Sequence, residues 1–547
     1  MQDAVSTAPR VEAPGSNSST RSRLTDLALA DWAAAAISAI LLILSFPDFD
    51  LWPLAWIGLV PLLLVIANRP KPRRSFLLGW VAGTLFFYGS CDWLTFSMIN
   101  YGGIPRPVAY LLLLPVTLIV GLFPGTFALV LARAIRKWGT RALLVSPFVW
   151  VALEWARLGV TGQLWNAIGY SQAYEPALIQ TARWGGVYAV GFVLVSVNAA
   201  LAFLLVRRNS RALAVAAIVL AAIAFVDFVT YKTLQADSLG MGARNDPSVA
   251  QNDIIAVVLQ PNVPMNLVKT TDEMQELIKR HLSLTEGALK QLPQDGKPRL
   301  VIWPESPMNF AYGNDSQLRE LLTTLATTNQ TYLLLNSQEA APNDAIYNSA
   351  MLVNQQGSLI AQYDKIRLLP FGEYVPLPRG MPGANLISAI VGEFTPGTQY
   401  TLMPVGPVRA GVFICIESAY PSIARRFTVN GADVLINISN DGYLGPTAVM
   451  RQHLGNAIFR AVENNRPLLR VTNSGITAYI TPRGEVKDAT AGFQTATRTW
   501  GIARNTRLNS FYTEHGDLFV VFCAAISLLL LVASFNFRNR KRLEGEK

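Results

Sequence analysis

Three residues of this sequence close apolar runs at positions where their side chains could do chemistry together. Cys415 ends the run Val-Arg-Ala-Gly-Val-Phe-Ile-Cys and precedes Ile416, Glu417, Ser418, Tyr420, Pro421 and a helical segment. A thiol at a strand-to-helix turn has backbone N–H groups and the positive end of a helix nearby, which favour the thiolate and supply donors for an oxyanion. Glu305 ends Arg-Leu-Val-Ile-Trp-Pro-Glu, and a carboxylate there can take the thiol proton and return it to a leaving group. Lys365 ends Leu-Ile-Ala-Gln-Tyr-Asp-Lys, where an ammonium can hold a developing oxyanion and help to depress the thiol pKa. Taken singly, Cys415 reads equally well as a buried structural cysteine, and Glu305 and Lys365 as solvated loop residues. Their joint placement at strand ends is what points to covalent catalysis.

Competing constellations are weaker. The histidines are His281, His453 and His515, so a Cys-His dyad would recruit a residue from a helical or tail segment, and no spacing suggests metal ligands. Trp303-Pro304-Glu305-Ser306 is not the Gly-x-Ser-x-Gly elbow of serine hydrolases. No Gly-rich phosphate loop follows a strand, and no cofactor is indicated. Cys91 and Cys523 fall in apolar runs, where a small polarizable hydrophobe needs no further reason.

The elements that must position these residues are legible from 254 onward. Strands are expected at 254–260, 300–303, 331–336, 350–354, 359–363, 408–416 and 434–439, with a hairpin-like stretch at 469–486. Helices are expected at 272–291, 317–328, 422–429 and 447–464. Continuous apolar strands interleaved with helices predict a helix-covered sheet, hence an α/β or layered α+β domain.

The rest of the chain is of another kind. Of 547 residues 51% are hydrophobic and only 15% charged, which favours a membrane protein and excludes disorder, collagen and disulfide scaffolds. Eight apolar runs predict transmembrane helices near 29–46, 51–66, 76–99, 109–135, 143–158, 185–206, 213–230 and 518–535. The net charge of +10 lies outside the 231–517 segment, which holds 24 basic and 24 acidic residues, so a nucleic-acid partner is disfavoured. Basic residues cluster in alternate connections: Arg69, Lys71, Arg73 and Arg74; then Arg133, Arg136, Lys137 and Arg141; then Arg207, Arg208 and Arg211; and finally Arg538, Arg540, Lys541 and Arg542. Short basic loops stay in the cytoplasm, which places both termini inside and 231–517 on the outer face. The expected organisation is a disordered cytoplasmic tail (1–24), a membrane domain with seven spans (25–230), the outer catalytic domain (231–517), an eighth span (518–537) and a short cytoplasmic tail (538–547). Asp92, Glu154 and Asp227 fall in or near the apolar runs. Glu154 and Arg157, three apart on one helical face, are expected to pair.

The residues around the three reactive side chains resemble the Glu-Lys-Cys triad of the nitrilase superfamily. They are Trp-Pro-Glu-Ser at Glu305, Tyr-Asp-Lys-Ile-Arg-Leu-Leu-Pro-Phe-Gly-Glu-Tyr-Val-Pro at Lys365 and Gly-Val-Phe-Ile-Cys-Ile-Glu-Ser at Cys415. The lysine motif, the spans and the outer placement resemble its membrane branch, the apolipoprotein N-acyltransferases. The likeness extends to Leu-Ser-Phe-Pro-Asp-Phe-Asp-Leu-Trp-Pro-Leu-Ala-Trp near the start, Asn-Ala-Ile-Gly-Tyr-Ser-Gln at 166–172 and Asn-Arg-Pro-Leu-Leu-Arg-Val-Thr-Asn-Ser-Gly-Ile-Thr-Ala at 465–478.

The resemblance implies a nitrilase-like αββα sandwich on the periplasmic side of a bacterial inner membrane. It also implies transfer of an acyl chain from a membrane phospholipid, through a Cys415 thioester, to the α-amino group of a diacylglyceryl-modified apolipoprotein. Glu305 would be the base and later the acid, while Lys365 and the backbone N–H after Cys415 would hold the oxyanion. Glu373 and Glu417 match supporting glutamates. The chain departs from the pattern at Ile416, commonly aromatic, and near Lys269, where a tryptophan is common. The triad alone also allows an amidase or lipid hydrolase with water as acceptor. The Gly- and Pro-rich stretch 370–401, with Leu386, Ile387, Ile390 and Val391, is expected to be a lid over lipid substrates, or else an ordered loop packed on its own domain.

Overall fold

The computed structural model describes residues 28–162, 164–240, 252–265, 269–293, 295–370, 372–374, 394–504 and 508–544. The expected disordered tail and most of the expected lid, including Leu386, Ile387, Ile390 and Val391, lie outside the described residues.

The N-terminal part is helical: α1 (Leu29–Leu44), α2 (Val60–Asn68), α3 (Pro72–Ser90), α4 (Leu94–Asn100), α5 (Arg106–Trp138), α6 (Ser146–Thr161), α7 (Ala182–Gly185), α8 (Val187–Arg207) and α9 (Ser210–Gly240). Every apolar run of this part falls on helix, but not each as one long rod. The second run is a 3-10 turn, Trp52–Trp56, followed by the nine-residue α2, because Pro53 and Pro61 admit only helix starts there. The third is broken between α3 and α4 at Cys91. Among the described residues, three helical stretches are long and apolar enough to cross a membrane: Arg106–Thr161, Val187–Arg207 and Leu518–Phe535. The tightest seam joins α3 to α5 through two small-residue pairs, Gly79 with Gly83 and Gly121 with Gly125. A Cβ on Gly79 would come 2.5 Å from the Pro124 carbonyl oxygen and one on Gly83 2.6 Å from the Pro124 ring, so only glycine lets the two backbones meet.

The second part is built from β1 (Ile254–Gln260), α10 (Thr271–Lys290), β2 (Arg299–Ile302), α11 (Ser316–Asn329), β3 (Thr331–Ala340), β4 (Ile346–Val353), β5 (Leu359–Asp364), β6 (Leu402–Val405) and β7 (Val408–Ile414). It continues with α12 (Pro421–Val429), β8 (Val434–Ser439), α13 (Val449–Asn464), β9 (Leu468–Thr472), β10 (Ala478–Ile480), β11 (Val486–Lys487) and β12 (Ala496–Ile502). Then α14 (Phe511–His515) leads into α15 (Leu518–Glu544). Two six-stranded sheets form, ordered β12-β1-β2-β3-β4-β5 and β11-β10-β9-β8-β7-β6. Each has three central parallel strands flanked by antiparallel ones. The period-two alternation of strands decides what each side chain meets. Ala256, Val258, Leu300 and Ile302 face the second sheet with Val412, Ile436 and Leu469, while Val257, Leu259, Val301 and Leu333 pack outward on α10 and α11. With α12 and α13 on the far side of the second sheet, the layers are helix, sheet, sheet, helix, as expected. Two strands escaped sequence reading: β6, four residues with Pro404 inside, and β12, whose Thr and Arg residues give no apolar run.

Helix α13 joins the two parts. Its residues from Gln452 to Asn464 are buried without interruption, although they include Arg460, Glu463 and three asparagine or glutamine side chains. One face lies on the second sheet and the other on the N-terminal helices. Gln452 accepts from the indole N–H groups of Trp93 (3.0 Å) and Trp165 (2.8 Å) and donates to the carbonyls of Ser90 (3.0 Å) and Pro47 (3.2 Å). Arg460 pairs with Glu463 at 2.8 Å, and Glu463 accepts the N–H of Val187 at the start of α8. Arg451 pairs with Asp50 and stacks over Tyr174. Buried polar side chains of this kind fix one docking geometry, because a shifted helix would strand them without partners.

Glu154 and Arg157 are both buried on α6 and attract each other as expected, and each also bonds the connection that follows. Glu154 accepts the N–H of Ile168 and Arg157 donates to the carbonyl of Trp165, each at 2.8 Å.

Candidate active site

Strand β7 stops at Ile414, two residues earlier than expected, because Cys415 takes a positive φ of 53° that no strand continues. A 3-10 turn, Cys415–Ala419, follows and leads into α12. Side-chain sterics make this conformation costly for cysteine, so it persists only where its surroundings enforce it. Here Glu417 does much of the enforcing. Its two carboxylate oxygens accept the N–H groups of Ile414 (2.8 Å), Ile366 (2.8 Å) and Arg367 (3.0 Å) and the hydroxyl of Tyr363 (2.8 Å). One fully buried carboxylate thus ties the Cys415 turn to the Lys365 loop. Glu417→Gln replaces an acceptor oxygen by an NH2 group that faces donors. The expected result is a melting temperature lowered by several degrees and acylation of Cys415 slowed by about 10²-fold, read by thermal denaturation and by mass spectrometry of the protein.

Lys365 follows β5 and is 1% exposed. Its ammonium lies 2.8 Å from Glu373 and 3.6 Å from Glu305. Asn348, on the neighbouring β4, donates to both carboxylates, at 3.0 Å to Glu305 and 2.7 Å to Glu373. Glu373 is held in turn by the N–H of Leu369 at 2.7 Å. Glu305 follows β2 and forms a bridge to Thr472 of β9, so it stands where the two sheets meet, close enough to Cys415 for the carboxylate and the thiol to influence each other's charge. The structure therefore brings all five sequence-predicted residues, Glu305, Lys365, Cys415, Glu373 and Glu417, into one cluster. Lys269 lies apart from them on the loop before α10 and donates to the Pro307 carbonyl at 3.3 Å.

The electrostatics differ from expectation at one point. Burial, and then the Glu305 carboxylate, push the Cys415 thiol well above its ordinary pKa, and the opposing pull of Lys365 is too small to reverse this. The resting Cys415 side chain is a thiol, so it would need a base in order to act as a nucleophile. Burial also raises the Glu305 carboxyl against the pull of Lys365, which makes Glu305 a stronger proton acceptor than a solvated glutamate. For Lys365 burial disfavours the charge, but Glu373 and Glu305 outweigh it and hold the ammonium above its ordinary value.

Several neighbours were not foreseen. Asn348 offers no local signal beyond its place in a β-rich run. His453, on α13, reaches the site through the backbone carbonyl of Cys415 (3.0 Å) rather than through its thiol. Asp441 accepts from His453 at 2.9 Å, and its two oxygens accept from Nη2 of Arg470 at 3.0 and 2.8 Å. Burial would raise the Asp441 pKa, but Arg470 and His453 outweigh it and hold the carboxyl well below the usual carboxylate range.

Comparison with known proteins gives two family matches. The apolipoprotein N-acyltransferase N-terminal domain matches residues 38–200, and the carbon-nitrogen hydrolase family matches residues 254–506. A relative from Geobacter metallireducens, named apolipoprotein N-acyltransferase, is 32% identical over 93% of this chain and 96% of its own. One of the same name from Chlorobaculum tepidum is 27% identical over 95% of this chain and 100% of its own. Among solved structures, Saccharomyces cerevisiae Nit3, a member of branch 10 of the nitrilase superfamily, is similar with 20% identity and a TM-score of 0.35, covering 46% of this chain and 91% of that one.

Proposed function

The chain belongs to the apolipoprotein N-acyltransferase family, and from that premise we propose that it moves an acyl chain from a membrane phospholipid to the α-amino group of a diacylglyceryl-modified apolipoprotein. The observation that carries this reading is the Glu305–Lys365–Cys415 cluster, with the buried ammonium between two carboxylates and the thiol near enough to one of these to feel its charge. Glu305 takes the thiol proton as Sγ attacks the ester carbonyl. The Lys365 ammonium and the N–H of Ile416 hold the tetrahedral oxyanion. Its collapse breaks the ester C–O bond, the lysophospholipid leaves with the proton from Glu305, and the acyl group stays on Cys415 as a thioester. The lipoprotein amine then attacks that carbonyl, Glu305 accepts the ammonium proton and passes it to the departing sulfur, and an amide is released.

The proposed setting is the bacterial inner membrane, with eight spans, both termini in the cytoplasm and 231–517 in the periplasm. Support comes from the alternation of basic connections and from the exposed apolar side chains of α5, α9 and α15, such as Leu111, Ile119, Ile218, Phe225, Leu528 and Leu529. A lipid donor and a lipid-modified acceptor both require a site at a bilayer surface. An amidase acting on a soluble compound has no need of such embedding.

The test is a two-stage reaction of the purified protein. Incubation with a labelled phospholipid should leave the acyl chain on Cys415, and a diacylglyceryl lipopeptide should then collect it on its amine. Release of free fatty acid at a rate the lipopeptide does not change would make the protein a hydrolase and overturn the transfer.

A further inference from the structure

We propose that His453 is a positioning residue for the oxyanion site: by holding the backbone carbonyl of Cys415 it aims the N–H of Ile416, and its own position is set by the docking of α13 on the N-terminal helices. This rests on the covalent mechanism proposed above and adds a part to it.

The carbonyl of Cys415 and the N–H of Ile416 belong to one peptide unit. That unit is planar and trans, so the two groups point in opposite directions and neither turns without the other. Ile416 is the second residue of the 3-10 turn, where N–H groups have no partner within the turn. What fixes its direction is therefore what grips the carbonyl. Two side chains do: His453 through Nε2 at 3.0 Å, and Asn437 of β8 through Nδ2 at 3.3 Å. A hydrogen bond to the carbonyl also polarises the peptide and makes the N–H at its other end a better donor.

His453 is itself fully constrained. Its other ring nitrogen faces Asp441 at 2.9 Å, and Asp441 is clamped by Arg470, which donates to Asn437 at 2.5 Å. Both ring nitrogens thus face acceptors, and hydrogen bonds to both require both ring protons. Burial and the Arg470 charge outweigh the Asp441 carboxylate and the carbonyl, so the imidazole lies below its ordinary pKa, and the grip on the Cys415 carbonyl depends on the proton at Nε2. The ring of Trp165 covers the imidazole at a centroid distance of 5.5 Å. The residue before it, Gln452, is held by Trp93, Trp165, Ser90 and Pro47, all from the N-terminal helical part. The oxyanion donor is thereby oriented through contacts that exist only when the two parts of the protein are joined.

The test separates oxyanion support from ordinary structural support. Acylation of Cys415 passes through a tetrahedral oxyanion, whereas alkylation of the same thiol by iodoacetamide does not. Both rates are measured on the full-length protein in detergent by peptide mass spectrometry, with p-nitrophenyl butyrate as well as a phospholipid as acyl donor. His453→Phe keeps a ring against Trp165 and removes the donor. The expected result is acylation about 10- to 100-fold slower with both donors, below the direct loss of an oxyanion donor, and alkylation within about twofold of wild type. His453→Gln, which restores one donor, should recover part of the acylation rate. If His453→Phe does not fold, His453→Asn, polar but too short to reach the carbonyl, takes its place. Unchanged acylation, or acylation and alkylation falling together, would overturn the inference. A wild type acylated by the ester but not by the phospholipid would overturn the proposed donor alone, and one acylated by neither would overturn the nucleophile and this inference together.

Discussion

Cys415→Ala is expected to abolish the acyl-enzyme and lower transfer to the lipopeptide on the order of 10⁴-fold or more, the scale of removing a covalent nucleophile. The physical case that this loss is chemical lies in the backbone. Cys415 sits at a φ of 53°, where alanine carries the same Cβ and meets the same strain, so the exchange adds no conformational cost. The turn is held by groups the substitution does not touch: the four hydrogen bonds accepted by Glu417 and those donated to the Cys415 carbonyl by His453 and Asn437. The variant should melt close to wild type and still bind phospholipid. A variant that retains thioester or transfer activity would rule out Cys415 as the nucleophile. Cys91 and Cys523 do not substitute for it, since both are buried within the helical elements, away from Glu305 and Lys365.

Lys365→Met should damage both stability and rate, for one reason. The ammonium is 1% exposed between Glu305 and Glu373, and its removal leaves two carboxylates in a buried space with only Asn348 donating to both. Breaking a buried pair by deleting one partner costs about 3–5 kcal/mol, and loss of an oxyanion donor slows acylation by about 10²–10³-fold. The pH dependence distinguishes the two effects. Lys365 pulls the Glu305 pKa down against burial, so without it that pKa rises. A general base works only when ionised, and its rate limb lies at its pKa. The acid limb of the acylation rate should therefore move to higher pH in Lys365→Met. A variant that is merely less stable would keep the wild-type limb in the fraction that remains folded, and an unmoved limb would argue against Glu305 as the base.

Much of this site was legible before any coordinates, because its residues sit where a local pattern breaks. Glu305, Lys365 and Cys415 each end an apolar β run, and a polar residue at such a boundary stands out against the period-two signal on one side of it. Glu373 and Glu417 came by resemblance to a family motif, not by pattern. The bounds of β1 and β8 are legible to the residue because both strands are almost continuously apolar. Strands β6 and β12 are not, since Pro404 in one and a Thr-Arg-Thr run in the other erase the periodicity on which the reading depends.

The amino-acid sequence by itself determined the division into a helical apolar part and a neutral part of alternating strands and helices, and the reactive residue types, Glu305, Lys365 and Cys415, that stand where apolar runs end. These are local properties, written in runs of a few residues. Only the tertiary structure decided that Cys415 leaves its strand with positive φ, that Asn348 bridges two carboxylates, and that α13 is buried from Gln452 to Asn464 with His453 on the Cys415 carbonyl. The contacts responsible join residues far apart in the chain, such as Trp93 with Gln452 and Cys415 with His453. A contact of that kind leaves no periodic trace in either partner's neighbourhood, and only folding brings its two halves together.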